Sequence, residues 1–376
     1  MGEDICLFTK DTVIIKPPKK SPASLRVLVF AFAVVCSLYI WSVCLNQANF
    51  YTGPISPGPE VNPVQRCHNI GIDKSQTPYF HYPNPTTFSR DECACNPVRL
   101  FVVVSMQRSG SGWFETFLNS HLNVSSNGEI FSVMERRRNV SSILSTLDRV
   151  FNMDWSTSAN KNQCSAAIGF KWMLNQGLME YHKEIVEYFN DRGVSVIFLL
   201  RRNHLRRIVS LLANSFDRNA KLLNGVHKSH VHSRQEAETL AGYKPTINLT
   251  SLTMDLKQME NMVFDALFHF HSTRHMVLYY EELLKNRTKL VDVQKFLALP
   301  PMELTSRQVK IHKGPLSDHV KNWDDVKKTL RGTTYETFLH SDETNSSSLI
   351  FLKEEDHLVF VDADHYLTHD GVHPRD

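Results

Sequence analysis

The sequence has little net charge, because its 42 lysine and arginine residues are nearly balanced by 39 aspartate and glutamate residues. The formal net charge of +3 gives no overall basic field, which argues against a nucleic-acid-binding protein. No segment is repeated along the chain. Metal-ligand spacing is lacking as well: two histidine groups have no acidic or cysteine partners at diagnostic spacing, and we interpret them as surface residues. These groups are His227, His230 and His232, and His269, His271 and His275.

Cysteine is scarce, and its spacing argues against a cysteine-based zinc site. Only four of the seven cysteines lie beyond residue 45, namely Cys67, Cys93, Cys95 and Cys164. Cys93 and Cys95 are too close together to pair easily with each other. One or two disulfides that use Cys67 and Cys164 as partners are therefore expected, provided that this part of the chain faces an oxidising compartment.

One long uncharged run stands near the N-terminus. Residues 27–45 are about as many as a helix needs to cross a bilayer. The preceding tail, residues 1–26, is basic, whereas no lysine or arginine follows the run until Arg66, so the N-terminus is expected in the cytosol. A cleaved signal peptide is the alternative, but the long tail and the lack of a clear cleavage site favour an uncleaved signal anchor. The basic residues of the tail are Lys10, Lys16, Lys19, Lys20 and Arg26.

A single-pass type II topology would place the rest of the chain in the lumen of the secretory pathway. Five Asn-x-Ser/Thr sequons would be usable for glycosylation only on that side of the membrane. The apolar run is near the lower length limit of a span, which suits the thinner bilayers of the early secretory pathway and indicates a Golgi membrane. The sequons begin at Asn123, Asn139, Asn248, Asn286 and Asn345.

The chain beyond residue 45 divides into three parts. Residues 46–97 are rich in proline, which rules out long helices and central strands, and we interpret them as a stem. Residues 98–340 alternate apolar strands with amphipathic helices, and residues 341–376 form a loop-like tail. The alternation predicts an α/β fold with a mainly parallel sheet and helices on both faces. Strands are expected at 100–104, 166–170, 194–200 and 276–280, helices at 134–151, 178–190, 205–223, 254–270, 282–299 and 323–330, and a loop at 224–250.

The first strand, residues 100–104, leads into a turn that is suited to binding phosphate. Ser109, Gly110, Ser111 and Gly112 allow backbone N–H groups to approach an anion closely. The turn feeds the N-terminus of a helix, whose dipole favours negative charge. Apolar residues follow at helical spacing, and we interpret them as core: Trp113, Phe114, Phe117, Leu118 and Leu122.

Three basic segments should meet at this turn, because ligands of parallel sheets bind beyond the carboxyl ends of the strands. They contain Arg108, Lys171 and the pair Arg201 and Arg202. A nucleotide hydrolase or kinase would need Gly-Lys-Ser/Thr in the turn and an acidic residue after another strand to hold magnesium. Neither is present, since the turn ends in Gly-Trp and the strand at 194–200 ends in arginines. The pattern favours a metal-free transfer from an activated anionic donor.

These segments resemble the sulfotransferases that use 3′-phosphoadenosine 5′-phosphosulfate (PAPS). The 5′-phosphosulfate loop of that family reads basic residue, Ser, Gly, Thr or Ser, small residue, aromatic residue, and residues 108–113 match it, although Gly112 departs from the more usual Ser or Thr. The second motif of the family is a strand ending in Arg with a Ser eight residues later, as in Arg202 and Ser210. The resemblance covers residues 98–340 and is to the Golgi carbohydrate and the bacterial nodulation-factor and trehalose branches.

The resemblance implies PAPS as a co-substrate, no metal, and a hydroxyl acceptor on a glycan or glycoconjugate. Glu129 would be the base that deprotonates the acceptor, and Arg108 would neutralise charge on the leaving phosphate. Lys171 would help to neutralise that charge or would hold the acceptor. Two alternatives stay open: a kinase-like or nucleotidase-like enzyme, and a non-catalytic glycan-binding protein of the same fold. The implied donor contacts are Arg108, Ser109, Gly110, Ser111, Gly112, Trp113, Arg202 and Ser210.

Overall fold

The computed structural model describes residues 74–155 and 164–340, together with residues 27, 30–32, 34–38, 350–354 and 357–361. Backbone contacts divide the chain into two units, Met1–Asn62 and Pro63–Asp376. Among the described residues, no helix is both long and apolar enough to span a membrane. The predicted anchor at 27–45 is described only in part, and the tail at 1–26, Cys67 and Asn345 lie outside the described residues.

The second unit contains a sheet of five parallel strands in the order β2-β3-β1-β4-β5. The strands are β1 (Arg99–Ser105), β2 (Val124–Ser126), β3 (Ala167–Met173), β4 (Ser195–Leu200) and β5 (His275–Tyr279). Every residue of β1, β3 and β4 is buried, which explains their nearly continuous apolar sequences. The predicted parallel α/β architecture is confirmed. A separate antiparallel pair is formed by β6 (Ile350–Glu354) and β7 (His357–Val361).

Helices cover both faces of the sheet. They are α1 (Ser111–Ser120), α2 (Val140–Phe151), α3 (His182–Asp191), α4 (His204–Ala220), α5 (Arg234–Ala241), α6 (Leu249–His269), α7 (Tyr280–Lys285), α8 (Thr288–Phe296) and α9 (Trp323–Leu330). Leu100 and Val102 of β1 share one core with side chains of α2, α3 and α6. Phe101 and Val103 point to the opposite face and share a core with α1 and α8. The alternation along β1 therefore holds a helical layer on each side.

Local polar contacts divide two of the predicted helices. In place of one helix over residues 134–151, a short 3₁₀ helix (Met134–Arg137) is followed by α2, because the Asn139 side chain accepts a hydrogen bond from the Ser142 N–H and starts a new helix. The predicted helix at 282–299 is likewise two helices, α7 and α8, and the predicted loop at 224–250 contains α5. Strand β2 was not predicted, since three residues give too short a pattern.

The last part of the predicted stem packs against the sheet domain. His81 and Val98 exchange backbone hydrogen bonds of 3.0 and 2.8 Å. Asp154 accepts hydrogen bonds from the backbone N–H groups of Thr86 and Thr87 at 2.6 and 3.1 Å. Cys93 forms a disulfide with Cys164, whose Cα lies 5.3 Å away. Residues 74–97 thus form part of the folded unit rather than a spacer.

Candidate active site

The turn between β1 and α1 has the backbone shape of an anion-binding loop. Arg108 and Gly110 adopt left-handed conformations, with φ of 65° and 86°. Gly110 is required there, because a Cβ atom would collide with the Tyr280 ring. The first bond of α1 runs from the Phe114 N–H to the Gly110 carbonyl at 3.0 Å, so the N–H groups of residues 111–113 have no intrahelical acceptor. These groups, at the positive end of the helix dipole, suit a phosphate or sulfate group.

The Arg108 side chain connects the two motifs that were predicted to bind PAPS, the phosphate loop and the segment that contains Ser210. Its Nε donates to Ser210 Oγ at 2.9 Å, and its Nη1 donates to the Ser229 carbonyl at 2.8 Å. Burial, followed by the nearby charge of Arg201, lowers the pKa of Arg108 to about 10, so the guanidinium stays charged at neutral pH. Arg108 and Ser210, which are 102 residues apart in sequence, therefore lie at one site.

The two arginines after β4 point in different directions. Arg201 donates from Nη1 to the Arg108 carbonyl at 3.2 Å and lies 5.0 Å from the centre of the Tyr280 ring. Arg202 instead pairs with Glu282 at 2.5 Å and covers the Tyr279 ring at 3.7 Å. Sequence spacing selects Arg202 as the partner of Ser210, whereas the structure brings Arg201 to the phosphate loop. The described contacts of Arg202 do not include Ser210.

Further basic residues that the sequence did not single out surround the loop. On α4, Arg207 donates from Nε to the Gln107 carbonyl at 2.8 Å, and Arg206 donates to the Gly314 carbonyl at 3.0 Å. His312 lies nearby, and burial, His319 and then the arginines of the site lower its pKa to about 3. The only signal in the sequence was the Arg-Arg pair in the first turns of a helix that follows a strand.

The hydrogen-bond donors of this site suit an anionic ligand such as the phosphates of PAPS. The buried donor or acceptor atoms without a hydrogen-bond partner in the described part of the chain include three near this loop: Ser109 Oγ, Arg207 Nη1 and His312 Nε2. Buried polar atoms without partners are costly, and anionic oxygens between them would satisfy them. Arg108, Arg201 and Arg207 would supply the compensating charge.

A second group of charged side chains comes from β3, α1 and the loop after β2. Lys171 Nζ lies 3.2 Å from Glu115 Oε2 and 3.4 Å from Glu129 Oε1. Glu115 is fixed by hydrogen bonds from Ser126 Oγ and the Gly128 N–H, at 2.7 and 2.8 Å. The Glu129 side chain is 36% exposed against 11% for Glu115, so Glu129 is the carboxylate that an acceptor can reach.

The two charged groups lie within electrostatic reach of each other. The negative charge of Glu129 acts to raise the pKa of Arg108, opposing the effect of burial. His230 is exposed, as the sequence predicted for a surface histidine, but its ring lies against Gly112, and burial followed by the charges of Arg108 and Lys171 lowers its pKa to about 4. The structure thus pairs the predicted base with the predicted lysine, and the charge of Glu129 reaches Arg108 of the phosphate loop.

Trp113 is half-buried and packs against the core, as its helical spacing predicted, whereas the same prediction is wrong for Leu122, which is 70% exposed. Its ring meets Phe117 and Tyr280 edge to face, with centroid distances of 4.8 and 5.6 Å. The Arg287 guanidinium lies 5.3 Å from the same ring. Trp113 therefore fixes the position of α1 beneath the loop, and Ser111 at the start of α1 is buried.

Replacing Glu281 should destabilise the protein strongly. This buried carboxylate accepts from the N–H groups of Arg202 and Asn203 at 3.1 and 3.2 Å, so Glu281→Ala leaves both without their acceptor. We expect a loss of about 3 kcal/mol in the free energy of unfolding, measured by chemical denaturation. The matched control is Glu282→Ala, which breaks a partly exposed ion pair and should cost less than about 1 kcal/mol. Equal losses for the two variants would contradict the structural role of Glu281.

Stability should fall as the pH is lowered from 6.5 towards 4. Burial, with the charges of Arg207 and Arg201, lowers the pKa of His204 from 6.5 to about 4. In this range the unfolded chain binds a proton that the native protein does not, so acid favours unfolding by up to roughly 3 kcal/mol for this group. His204→Phe should flatten the pH dependence of the free energy of unfolding, whereas the exposed-site control His271→Gln should not. Identical slopes for both variants would refute a buried, neutral His204.

The fold and the site define a parallel α/β protein with a phosphate-type loop, buried arginines beside it, and a lysine–carboxylate pair. No family model matches the chain. Its sequence is similar to nodulation protein H of Rhizobium meliloti (strain 1021), with 22% identity over 258 residues that cover 64% of this chain and 95% of the relative. A second nodulation protein H of Rhizobium meliloti is 24% identical over the same length, with the same coverage.

Solved structures are also similar to this chain at low identity, among them two sulfotransferases. The sulfotransferase from Alicyclobacillus acidocaldarius has 12% identity and a TM-score of 0.35, and the match covers 64% of this chain and 95% of that one. The mouse sulfotransferase SULT7A1 complexed with PAP has 14% identity and a TM-score of 0.32, with coverages of 64% and 74%. These TM-scores are too low to define the fold by themselves. The similarity to nodulation protein H agrees with the resemblance of the sequence motifs to the nodulation-factor branch.

Proposed function

We propose that this chain transfers the sulfuryl group of PAPS to a hydroxyl group of a saccharide, without a metal ion. The observation that carries the proposal is the contact of Arg108 with Ser210, among further buried arginines and beside the Glu129–Lys171 pair. Such a cleft suits a donor with several negative charges at one end and an acceptor hydroxyl beside a carboxylate at the other.

The reaction would be an in-line displacement at sulfur. The acceptor oxygen forms a bond to sulfur while Glu129 takes its proton. The bond between sulfur and the bridging phosphate oxygen breaks, and its electron pair leaves with the adenosine bisphosphate product, PAP. Arg108 and the N–H groups of residues 111–113 would stabilise the charge that develops on that oxygen. Lys171 would hold Glu129 in place through their 3.4 Å ion pair.

The donor would lie along the loop and the start of α4. Residues 108–113 would hold the 5′-phosphosulfate, with Ser109 Oγ among the buried atoms available to it. Ser210 would bind the 3′-phosphate together with an arginine. Arg201 already lies at the loop, whereas Arg202 would first have to leave Glu282.

The resemblance to nodulation-factor and Golgi carbohydrate sulfotransferases supports a saccharide acceptor. Residues 98–340 would be the catalytic domain, held in the Golgi lumen by a type II anchor at 27–45. The charge asymmetry around that segment and the five sequons support this placement. The Cys93–Cys164 disulfide supports it as well, because disulfides persist in oxidising compartments.

Donor selection by the full-length chain tests this proposal. Calorimetry in the presence of EDTA should show that PAP binds at least about 10-fold more tightly than ADP. Of the two nucleotides, only PAP carries a 3′-phosphate, which the charged side chains of the site would contact through hydrogen bonds. Tighter binding of ADP or ATP would instead favour a kinase-like or nucleotidase-like enzyme. Binding of saccharides with no affinity for PAP would favour a glycan-binding protein.

A further inference from the structure

The His230 ring occupies the space that a side chain at position 112 would fill. A Cβ atom built on Gly112 would lie less than 3 Å from both Cε1 and Nε2 of His230, closer than real Cβ atoms approach other atoms. Gly112 belongs to the first turn of α1, directly after the phosphate loop. The imidazole can therefore occupy this position only because residue 112 has no side chain.

His230 is held in this position by both of its neighbours. The Ser229 carbonyl accepts a hydrogen bond from Arg108 Nη1 at 2.8 Å. The Val231 carbonyl accepts one from the Val309 N–H at 2.9 Å, and the Val231 side chain is buried. The backbone on each side of His230 is thus fixed, one side to the phosphate loop and the other to a bridge with residue 309.

The ring lies within electrostatic reach of two cations, Arg108 and Lys171. His230 remains exposed to solvent, yet crowding by protein atoms, followed by the charges of Arg108, Lys171 and His232, lowers its pKa to about 4. A neutral imidazole carries one N–H donor. Because the ring lies against Gly112, directly after the phosphate loop, an anion bound at that loop is the ligand that the N–H group of the imidazole would meet.

We propose that His230 is a donor-binding residue that takes the place of a side chain at position 112 and donates a hydrogen bond to the anionic phosphosulfate. This inference rests on the proposed function and adds a specific contact to it. It also explains why the loop sequence ends in Gly112 rather than in a residue with a hydroxyl group.

Two single variants of the full-length chain separate hydrogen bonding from space filling. His230→Ala should weaken PAPS binding by about 10-fold or more, the range expected for a lost hydrogen bond to a charged group. His230→Phe keeps a ring over Gly112 without the N–H and should lose a similar factor. The control His232→Ala should bind PAPS as the wild type does. Wild-type affinity in either His230 variant would overturn the proposal.

A reciprocal pair tests the link between the two positions. Gly112→Ser alone should reduce PAPS binding by about 10-fold or more, because the new side chain displaces the imidazole and the phosphate loop with it. The double variant Gly112→Ser with His230→Ala should bind more tightly than Gly112→Ser alone, since the hydroxyl then has the space and can donate in turn. Additive losses in the double variant, with folding checked by circular dichroism, would overturn the proposal.

The same measurements distinguish this inference from the proposed function. If the wild-type chain binds neither PAPS nor PAP, the proposed function fails and the inference fails with it. If the wild type binds both and the His230 variants bind equally well, only the role of His230 is rejected.

Discussion

The full-length Arg108→Ala variant is expected to turn over PAPS about 100-fold more slowly than the wild type, or more slowly still. Arg108 is the half-buried cation of the phosphate loop, and its hydrogen bond to Ser210 links the loop to the second predicted motif. Removing it takes away a donor that is aimed at charge developing in the transition state, where such donors have their largest effect. The measurement is the initial rate of acceptor sulfation at saturating PAPS.

Two further variants show whether the loss is specific to this guanidinium. Arg108→Lys keeps the charge but cannot reach both Ser210 and the Ser229 carbonyl in the same way, so we expect an intermediate rate. Arg218→Ala removes an exposed arginine from the far end of α4 and should leave the rate unchanged. A folded Arg108→Ala protein with undiminished transfer would reject the proposed role of the loop.

Glu129→Gln should abolish most turnover, by about 100-fold or more, while leaving PAP binding unchanged. The amide keeps the shape of the side chain and its contact with Gln176, which now donates to Glu129 Oε2 at 3.1 Å, but it cannot take a proton from the acceptor. The measurements are the transfer rate and the PAP affinity by calorimetry. Glu135→Gln, at an exposed position on the neighbouring 3₁₀ helix, is the control and should be fully active.

The outcome for donor binding decides between two roles of Glu129. If Glu129→Gln loses PAP affinity along with turnover, Glu129 holds the cleft together through Lys171 and is not the base. The contrasting residue is Glu115, which is more deeply buried and already accepts hydrogen bonds from Ser126 and Gly128. Glu115→Gln should therefore lower stability, because it leaves the buried Lys171 with one fewer counter-charge.

The parts of the molecule that the sequence predicts well are those with a strong local pattern. β1, β3 and β4 are buried on both faces, so their apolar runs are continuous and their boundaries were predicted to within a few residues. The phosphate loop was predictable because its Ser and Gly residues follow a strand and precede a helix. Lys171 and Glu129 were expected near it, although β3 continues to Met173, so Lys171 lies within the strand and not after its end as predicted.

The parts that the sequence did not predict depend on contacts between distant segments. Arg201 and Arg202 are adjacent and identical, and only Glu281, Glu282 and the rings of β5 and α7 decide which of them faces the loop. His230 lies in a polar segment without periodicity, and its position follows from the fixing of its neighbours by Arg108 and Val309. Such contacts leave no spacing signal in the sequence.

Formation of PAP from PAPS by the full-length chain, measured in EDTA with and without saccharide acceptors, tests the central claim most directly. We expect PAP and a sulfated saccharide to appear in equal amounts with wild-type protein and to be almost absent with Arg108→Ala. Transfer of the terminal phosphate of ATP to the same saccharides, or the absence of any PAP although the chain binds PAPS and saccharide together, would contradict it.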